Sequence, residues 1–270
     1  MPELPEVEQV KKTLAPYIEG KIIKNVEVRL AHLIQYPAVD LFVKKLKGRM
    51  IQTINRRGKY LLLQLDKGVL IVHLRMTGAL LATRNSAEPP YAKIKFSLTD
   101  NIVMWFTDIR AFGTLYYVDD DFVVKGLAAL GPEPLTKGLS LEYLFPLVTK
   151  SKKAIKTFIL DQNVIAGLGN IYADEALAEA GIAPLRLACD VTRKELAVLI
   201  KAINKVIAQG IKNHGTTFRD YKDGEGKKGN NQNFLAVYGR GGQPCKKCGA
   251  ILNKIKVGGR GTVYCPKCQK

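Results

Sequence analysis

Residues 60–74 read Tyr-Leu-Leu-Leu-Gln-Leu-Asp-Lys-Gly-Val-Leu-Ile-Val-His-Leu, two apolar runs that are separated by Asp66-Lys67-Gly68. Each run has the length of a strand, and the short polar break with its glycine is typical of a turn. The stretch therefore predicts two neighbouring strands, residues 60–65 and 69–74, in a β-rich region.

The flanking sequence extends this pattern in both directions. Further short apolar runs predict strands at residues 94–98, 102–106 and 114–118. Strands at this spacing are typical of an antiparallel sandwich or barrel, and the region lacks the strand–helix alternation of a parallel sheet. On the N-terminal side, the spacing of Val7, Val10, Leu14 and Ile18 predicts an amphipathic helix over residues 5–19. A strand at 21–30 and a short helix at 37–47 follow.

The pattern changes after Gly131-Pro132-Glu133-Pro134-Leu135, which has the composition of a linker. Helical spacing follows at residues 141–149, 153–161, 171–180 and 193–209, and Thr192 with Glu195 forms a capping-box pattern. Residues 222–233 are polar and glycine-rich, and we expect them to be mobile. We predict an N-terminal domain at 1–130, a helical domain at 131–221, a mobile loop and connector at 222–242, and a cysteine-bearing module at 243–270.

The charge of the chain restricts its partners. The 270 residues carry a formal net charge of +18, and the sequence pI is about 9.7. Such an excess points to a polyanion, nucleic acid first and an anionic membrane surface second. The sequence contains no apolar run long enough to span a bilayer and no secretory signal pattern, so we expect a cytoplasmic protein with reduced thiols.

Four of the five cysteines form two Cys-x-x-Cys pairs near the C-terminus, Cys245/Cys248 and Cys265/Cys268. Two such knuckles close a tetrahedron of thiolates around one Zn²⁺, which leaves no open coordination position, so the zinc is structural. Residues 251–257 and 262–264 predict a hairpin between the knuckles. Arg260 lies among three glycines at its tip, where it could either bind a phosphate or be a solvated turn residue.

The first residues, Met1-Pro2-Glu3-Leu4-Pro5-Glu6, allow two interpretations. They have the composition of a helix start, with Pro5 at a first helical position. Alternatively, removal of Met1 leaves Pro2 with a secondary amine beside the Glu3 carboxylate. Such an amine can attack a sugar aldehyde carbon and form an iminium.

Three other stretches suit contact with nucleic acid, although each also has an ordinary structural explanation. Gly167-Leu168-Gly169-Asn170 places a predicted N-cap, Asn170, where a helix start could bind an anion. Arg56-Arg57-Gly58-Lys59 predicts a cationic turn. Met76 and the pair Arg110/Phe112 follow strands, where such side chains could enter a base stack or simply pack in a core.

Together these motifs resemble the formamidopyrimidine-DNA glycosylase family (the Fpg/Nei repair glycosylases) over essentially the whole chain. The motifs that carry the resemblance, in chain order, are Pro2–Glu8, Arg57–Leu61, Asp108–Gly113, Gly167–Glu175, Val237–Arg240 and the cysteine module with Gly259-Arg260-Gly261. Leu4 favours the formamidopyrimidine branch over its sister branch, endonuclease VIII, which typically has Gly at that position.

The resemblance implies an α+β multidomain fold. Its parts are an N-terminal antiparallel β-sandwich with a leading helix, a helix–two-turns–helix domain that includes residues 153–182, and a C-terminal zinc ribbon hairpin. It implies a monomer that acts on double-stranded DNA with an oxidised purine or an abasic site. The DNA would be bent in a cleft between the domains, with the damaged nucleotide turned outward.

The resemblance also implies roles for single residues. Pro2 would attack the sugar C1′ and release 8-oxoguanine or a formamidopyrimidine, and the abasic strand would then be cut by β- and δ-elimination. Pro2, Glu3, Lys59 and Arg260 would be catalytic, with Lys59, Asn170 and Arg260 on phosphates. Contacts to DNA or its surroundings would come from Glu6, His73, Met76, Arg110, Phe112, Asn170 and Tyr238. Residues 216–233 would cover the extruded base.

One departure from the family pattern affects lesion preference. Tyr91 and Lys93 stand where many members have two histidines one residue apart. The alternative function is a non-catalytic or altered-specificity member of the same family that binds damaged DNA.

Overall fold

A computed structural model of the chain describes residues 1–84 and 87–270. The chain divides into two compact units. The first comprises residues 1–128 and 213–230, and the second comprises residues 129–212 and 231–270. The unit boundaries differ from the predicted ones because residues 213–230 fold with the N-terminal unit. Whether the predicted boundaries delimit functional domains stays a prediction.

The first unit contains nine strands and three α-helices among the described residues. In chain order they are α1 (Leu4–Ile18), β1 (Ile23–Val28), β2 (Ile34–Tyr36), α2 (Val39–Leu46), β3 (Ile51–Arg57), β4 (Tyr60–Leu65), β5 (Val69–His73), β6 (Gly78–Thr83), β7 (Ala92–Leu98), β8 (Val103–Asp108), β9 (Thr114–Val118) and α3 (Lys125–Ala128). The predicted hairpin is present, with Tyr60 opposite His73 in the antiparallel β4–β5 pair.

These strands form a β-sandwich of two sheets with the orders β1-β7-β8-β6 and β2-β9-β5-β4-β3. Buried side chains of both sheets belong to one hydrophobic cluster, which includes Phe96, Phe106, Leu63 and Leu70. Packing of the two apolar faces against each other therefore holds the sheets together.

The two long helices of this unit close the open sides of the sandwich. α1 packs on β6 and β3, which are edge strands of the two different sheets, and α2 packs on the opposite edges, β1 and β2. Exposed edges with unpaired backbone groups invite aggregation, and helices that cover both sides remove that hazard. α1 contributes the predicted apolar stripe, since Val7, Val10, Leu14 and Ile18 are completely buried.

Three local predictions for this unit need correction. β6 is a full strand although the sequence pattern did not predict it, because its Gly and Ala residues have weak strand propensity and tertiary pairing with β8 decides the matter. β2 and β9 pair in parallel, a short exception to the expected antiparallel arrangement. Pro5 occupies the second helical position, since α1 begins at Leu4, and Pro16 lies inside the helix two residues before its end.

Part of the segment predicted to be mobile is attached to α1. The Gly224 N–H donates to Thr13 Oγ1 at 2.8 Å, and the Gly224 carbonyl accepts from the Ala82 N–H of edge strand β6 at 2.9 Å. Tyr221 donates its hydroxyl to the Glu6 carbonyl at 3.3 Å. Burial raises the pKa of Tyr221, so this phenol stays protonated. That the segment covers an extruded base stays a prediction.

The second unit is helical with a terminal hairpin. Its elements are α4 (Leu141–Val148), α5 (Ile155–Ile159), α6 (Asn170–Ala180), α7 (Arg193–Lys212), β10 (Asn253–Val257) and β11 (Arg260–Tyr264). α6 lies at the centre, in contact with α5, α7 and β11, and its residues from Ile171 to Ala178 are all buried. The capping box is confirmed, since the Thr192 N–H donates to Glu195 at 2.8 Å and Thr192 Oγ1 accepts from the Glu195 N–H at 3.3 Å.

Two predictions for the second unit were wrong, the N-cap of α6 and the extent of the hairpin turn. The N-cap of α6 is Gly169, so Asn170 is the first helical residue and its side chain is directed elsewhere. The hairpin turn consists of Gly258 and Gly259 alone, both with positive φ, and Arg260 is the first residue of β11. Two left-handed residues are what a tight hairpin turn requires, and glycine adopts them without strain. Within the described ranges, no helix is both long and apolar enough to cross a bilayer.

Candidate active site

The start of α1 is organised by the Glu6 carboxylate. The Glu3 N–H donates to Glu6 Oε2 at 2.8 Å, and the Thr216 N–H donates to Glu6 Oε1 at 2.7 Å. Glu3 and Glu6 are 3% and 1% exposed, and Pro2 is also buried. Because charge-assisted hydrogen bonds are strong when they are removed from water, Glu6 holds the backbone beside Pro2 in one position and ties it to residue 216.

Lys59 and His73 form a second group, at the β3–β4 turn and the end of β5. Both are nearly buried, at 6% and 8% exposed. Burial, together with the positive charges of Arg75 and Lys59, lowers the pKa of His73 to about 3. The imidazole is therefore neutral at physiological pH. Its Nδ1 accepts the Arg75 N–H at 3.0 Å, which leaves the proton on Nε2 as a donor.

Asp108 organises the loop that carries Arg110 and Phe112. Its Oδ2 accepts the N–H groups of Phe112 and Gly113 at 2.9 and 2.8 Å, and its Oδ1 accepts the Arg110 N–H at 3.2 Å and the Thr77 hydroxyl at 2.5 Å. The carboxylate is 1% exposed. Asp108 therefore accepts hydrogen bonds from the backbone N–H groups of this loop, as a capping side chain does from those at a helix end.

The side chains at this loop surround an open cavity of about 760 Å³. Met76 and Phe112 are 40% and 59% exposed, which is unusual for such apolar side chains, and Arg110 is also exposed. The cavity is lined by Met1, His32, Gln35, Arg75, Met76, Arg110, Ala111, Phe112, Gly113 and Thr114. The three side chains that could enter a base stack, those of Met76, Arg110 and Phe112, therefore share one surface.

Asn170 and Arg260 lie close together in the second unit. The Asn170 Nδ2 donates to the Gly261 carbonyl at 3.0 Å, and Asn170 Oδ1 is buried. The Arg260 side chain is exposed at the start of β11. The structure therefore brings together the two phosphate-binding candidates that are 90 residues apart in sequence.

A buried ion pair beneath this group was not predicted. Lys156 is completely buried, and its Nζ lies 2.7 Å from Asp174 Oδ1, 2.6 Å from Thr262 Oγ1 and 3.2 Å from the Gly261 carbonyl. Asp174 Oδ2 accepts the Val263 N–H at 3.1 Å. Burial raises the pKa of Asp174 to about 6, and the Lys156 ammonium limits the rise. The pair connects α5 and α6 to the strand that begins with Arg260.

Glu175 was also missed, and it positions the backbone at Tyr238. Its two carboxylate oxygens accept the N–H groups of Ala236, Val237 and Tyr238 at 2.7–2.9 Å. The only sequence signal for Asp108, Asp174 and Glu175 was their presence inside the motifs that carry the family resemblance. Their polar character gave no indication that they are buried.

The four cysteines form the predicted metal site. The Sγ atoms of Cys245, Cys248, Cys265 and Cys268 all lie within 4.8 Å of one another. Cys248 and Cys265 are 3.5 Å apart, close to the edge of a tetrahedron with Zn–S bonds of about 2.3 Å. Backbone N–H groups of Lys247 and Cys268 donate to the first thiolate of each knuckle at 3.4 Å. A set of four sulfur donors fits one structural zinc.

Three segments of the chain match models of known protein families, and relatives of known name match it over its full length. Residues 1–115 match the family model for the formamidopyrimidine-DNA glycosylase N-terminal domain, residues 130–222 the H2TH domain of the same enzymes, and residues 242–270 the zinc finger found in FPG and IleRS. A protein of Desulforamulus reducens named formamidopyrimidine-DNA glycosylase is 46% identical over all of this chain and 99% of its own length.

Solved structures agree with this assignment. A Lactococcus lactis FPG mutant in complex with Fapy-dG containing DNA superposes with a TM-score of 0.93 at 36% identity, with 100% of both chains covered. MutM in complex with carbocyclic 8-oxo-G containing DNA gives a TM-score of 0.92, also at 36% identity and with 100% of both chains covered. Matches of this extent in sequence, domain composition and fold show that the chain belongs to the formamidopyrimidine-DNA glycosylase family.

Proposed function

We propose that this protein is a base-excision-repair DNA glycosylase that removes oxidised purines from double-stranded DNA and then cuts the abasic strand as a lyase. The observation that carries the proposal is the position of Pro2. It lies two residues before α1, beside the N-cap residue Glu3, and the buried Glu6 holds the first turn of that helix. The chain also resembles, over its full length, proteins solved with Fapy-dG and 8-oxo-G DNA.

The chemistry starts from the Pro2 amine, which becomes available when Met1 is removed. Its lone pair forms a bond to C1′ of the damaged nucleotide, and the bond from C1′ to the base breaks, with the electron pair leaving on the base. The nitrogen then loses its proton, and its lone pair forms the C=N bond of an iminium as the C1′–O4′ bond breaks and O4′ takes up a proton, which opens the sugar ring. Loss of a C2′ proton expels the 3′ phosphate, and a second elimination expels the 5′ phosphate.

Glu3 supports the proton transfers on the sugar in this scheme. Its carboxylate belongs to the residue adjacent to Pro2, and Glu6 fixes its backbone through a 2.8 Å hydrogen bond. A general acid or base must be held within hydrogen-bond reach of the reacting group, and a backbone that cannot shift helps to satisfy that requirement.

The remaining candidates bind DNA in the proposal. Lys59, Asn170 and Arg260 contact phosphates, and the neutral His73 offers its Nε2–H to one. Met76, Arg110 and Phe112 occupy the space left by the extruded nucleotide, because their exposed apolar and cationic groups match an unstacked base pair. The net charge of +18 supplies the general attraction to DNA.

The test is reductive trapping on a duplex that carries 8-oxoguanine opposite cytosine. We expect borohydride to join the DNA covalently to the protein, and peptide mass spectrometry to locate the sugar remnant on the Pro2 nitrogen. Glu3→Gln should lower the rate of base release by at least about 100-fold, which is the scale of general acid–base catalysis. Glu27→Gln, the same change on an exposed side chain of β1, serves as the matched control.

Two outcomes would contradict the proposal. Absence of an adduct with oxidised and abasic duplexes, from protein whose N-terminus is confirmed as Pro2, would refute the catalytic assignment. If such a protein still bound the abasic duplex tightly, the alternative of a non-catalytic damage-binding member would replace it. An adduct on a lysine instead of Pro2 would retain the lyase activity but refute the nucleophile.

A further inference from the structure

The loop that carries Arg110 and Phe112 is held from a second side, by His32. The His32 Nε2 donates to the Ala111 carbonyl at 2.9 Å. Ala111 has a φ of 55°, a left-handed backbone conformation. Residues other than glycine adopt this conformation only when their surroundings enforce it. A backbone in this state returns to an ordinary conformation unless contacts on both sides of the residue hold it.

Asp108 and His32 supply complementary halves of that restraint. Asp108 accepts the N–H groups of Arg110, Phe112 and Gly113, so it binds the donors of the loop from its buried side. His32 binds the acceptor, the carbonyl between Arg110 and Phe112, from the exposed side. Rotation of the peptide unit that contains this carbonyl would change the directions of both neighbouring side chains.

The fold explains why His32 lies at this place. The short 3-10 turn Ala31–Leu33 directly precedes β2, and β2 pairs in parallel with β9, with Ile34 opposite Leu115. Parallel pairing places the segment before one strand beside the segment before the other. The Gln35 carboxamide also donates to the His32 carbonyl at 2.6 Å, which fixes the backbone from which the imidazole extends.

We propose that His32 is a positioning residue for the opposite-strand wedge, here defined as Arg110, Ala111 and Phe112. It keeps Arg110 and Phe112 directed into the 760 Å³ cavity that they line with His32. Phe112 is 59% exposed, so packing of its own ring restrains it little and its direction depends on the backbone. The inference rests on the proposed function, in which Arg110 and Phe112 occupy the space left by the extruded nucleotide and therefore lie next to the base opposite the lesion.

The experiment compares His32→Leu with His32→Gln. Leucine cannot donate to the Ala111 carbonyl, whereas the glutamine carboxamide can. Lys24→Leu, at an exposed position on β1, controls for the change from a polar to an apolar surface residue. The first readout is hydrogen exchange of the Phe112 and Gly113 amides in the free protein. We expect about fivefold faster exchange in His32→Leu, the factor that one ordinary hydrogen bond contributes, and restoration in His32→Gln.

The second readout is kcat/KM for release of 8-oxoguanine from two duplexes, one with cytosine and one with a base-free sugar opposite the lesion. We expect kcat/KM of His32→Leu to fall about fivefold on the duplex with cytosine opposite the lesion and much less on the duplex with the base-free sugar. We expect kcat/KM of His32→Gln to resemble that of the wild type. An equal loss on both duplexes would overturn the proposal, because His32 would then act on DNA binding in general. Unchanged amide exchange would overturn it as well.

The two readouts separate this inference from the proposed function. If the wild-type protein releases no base from either duplex, the proposed function fails, while the exchange rates still decide whether His32 holds the wedge. If the wild type is active and exchange in His32→Leu equals that of the wild type, the inference alone fails.

Discussion

Removal of the Asp108 carboxylate should destabilise the N-terminal unit far more than its amide replacement does. In Asp108→Ala, four donors lose their acceptor, namely the Thr77 hydroxyl and the N–H groups of Arg110, Phe112 and Gly113. Hydrogen bonds to charged groups contribute about 1.5–3 kcal/mol each, and relief of carboxylate burial offsets part of the loss. We therefore expect the free energy of unfolding to fall by about 3–5 kcal/mol.

Asp108→Asn should cost much less, about 1–2 kcal/mol, because the site can accept a reoriented amide. The Asn oxygen can take the Oδ2 position and accept from Phe112 and Gly113. The amide N–H₂ then faces Thr77 Oγ1, which can accept from it and also from the Arg110 N–H, already 3.0 Å away. The difference between the free energies of unfolding of the two variants thus tests the hydrogen-bond geometry and not only the burial of the residue.

Urea denaturation followed by tryptophan fluorescence measures both losses. The chain has a single tryptophan, Trp105 in β8, which is 2% exposed and reports on the N-terminal unit. Glu27→Ala, which removes an exposed partner of Lys95, is the control and should change stability by less than about 1 kcal/mol. Equal losses for Asp108→Ala and Asp108→Asn, or a loss below about 1 kcal/mol for Asp108→Ala, would refute the reasoning.

Three further predictions concern other buried groups. The pKa of His73 in the folded protein, about 3, lies below its unfolded value of 6.5, so its contribution to stability is complete above pH 6.5 and declines as the pH falls towards 3. Between pH 6.5 and 4.5 the wild type should therefore lose about 2–3 kcal/mol more than His73→Gln, and parallel urea curves would contradict this. Lys156→Met should lower the free energy of unfolding by about 3–5 kcal/mol, because it leaves Asp174 without its partner. The double variant with Asp174→Leu should recover most of that loss, and additive losses of the two single variants in denaturant titrations would argue against the ion pair. Cys265→Ser, or removal of zinc by a chelator, should unfold the terminal hairpin and weaken DNA binding in a filter assay, while the Trp105 transition stays unchanged.

Local patterns in the sequence were sufficient for much of the fold. The alternation of apolar runs and turns predicted the β4–β5 hairpin, and a stripe at helical spacing predicted α1. The spacing of two Cys-x-x-Cys pairs predicted the zinc site. Each of these features depends on residues that are near one another in the chain or on a ligand set with fixed geometry, so periodicity and spacing are enough to find them.

Only the tertiary structure decided which polar side chains are buried and what they hold. Lys156 follows Lys152 and Lys153 closely in sequence, and no local pattern predicts that it is buried, yet it is completely buried against Asp174 because α5 packs on α6. His32 is an ordinary surface histidine until the parallel β2–β9 pair places it beside Ala111, 79 residues away. Such contacts join residues that are distant in sequence, and no local pattern encodes them. The sequence by itself determined the elements, the zinc ligands and the family motifs, whereas the fold determined how Asp108, His32 and Glu6 restrain the loops around the site, because each restraint joins a side chain to backbone groups that chain folding alone brings within hydrogen-bond distance.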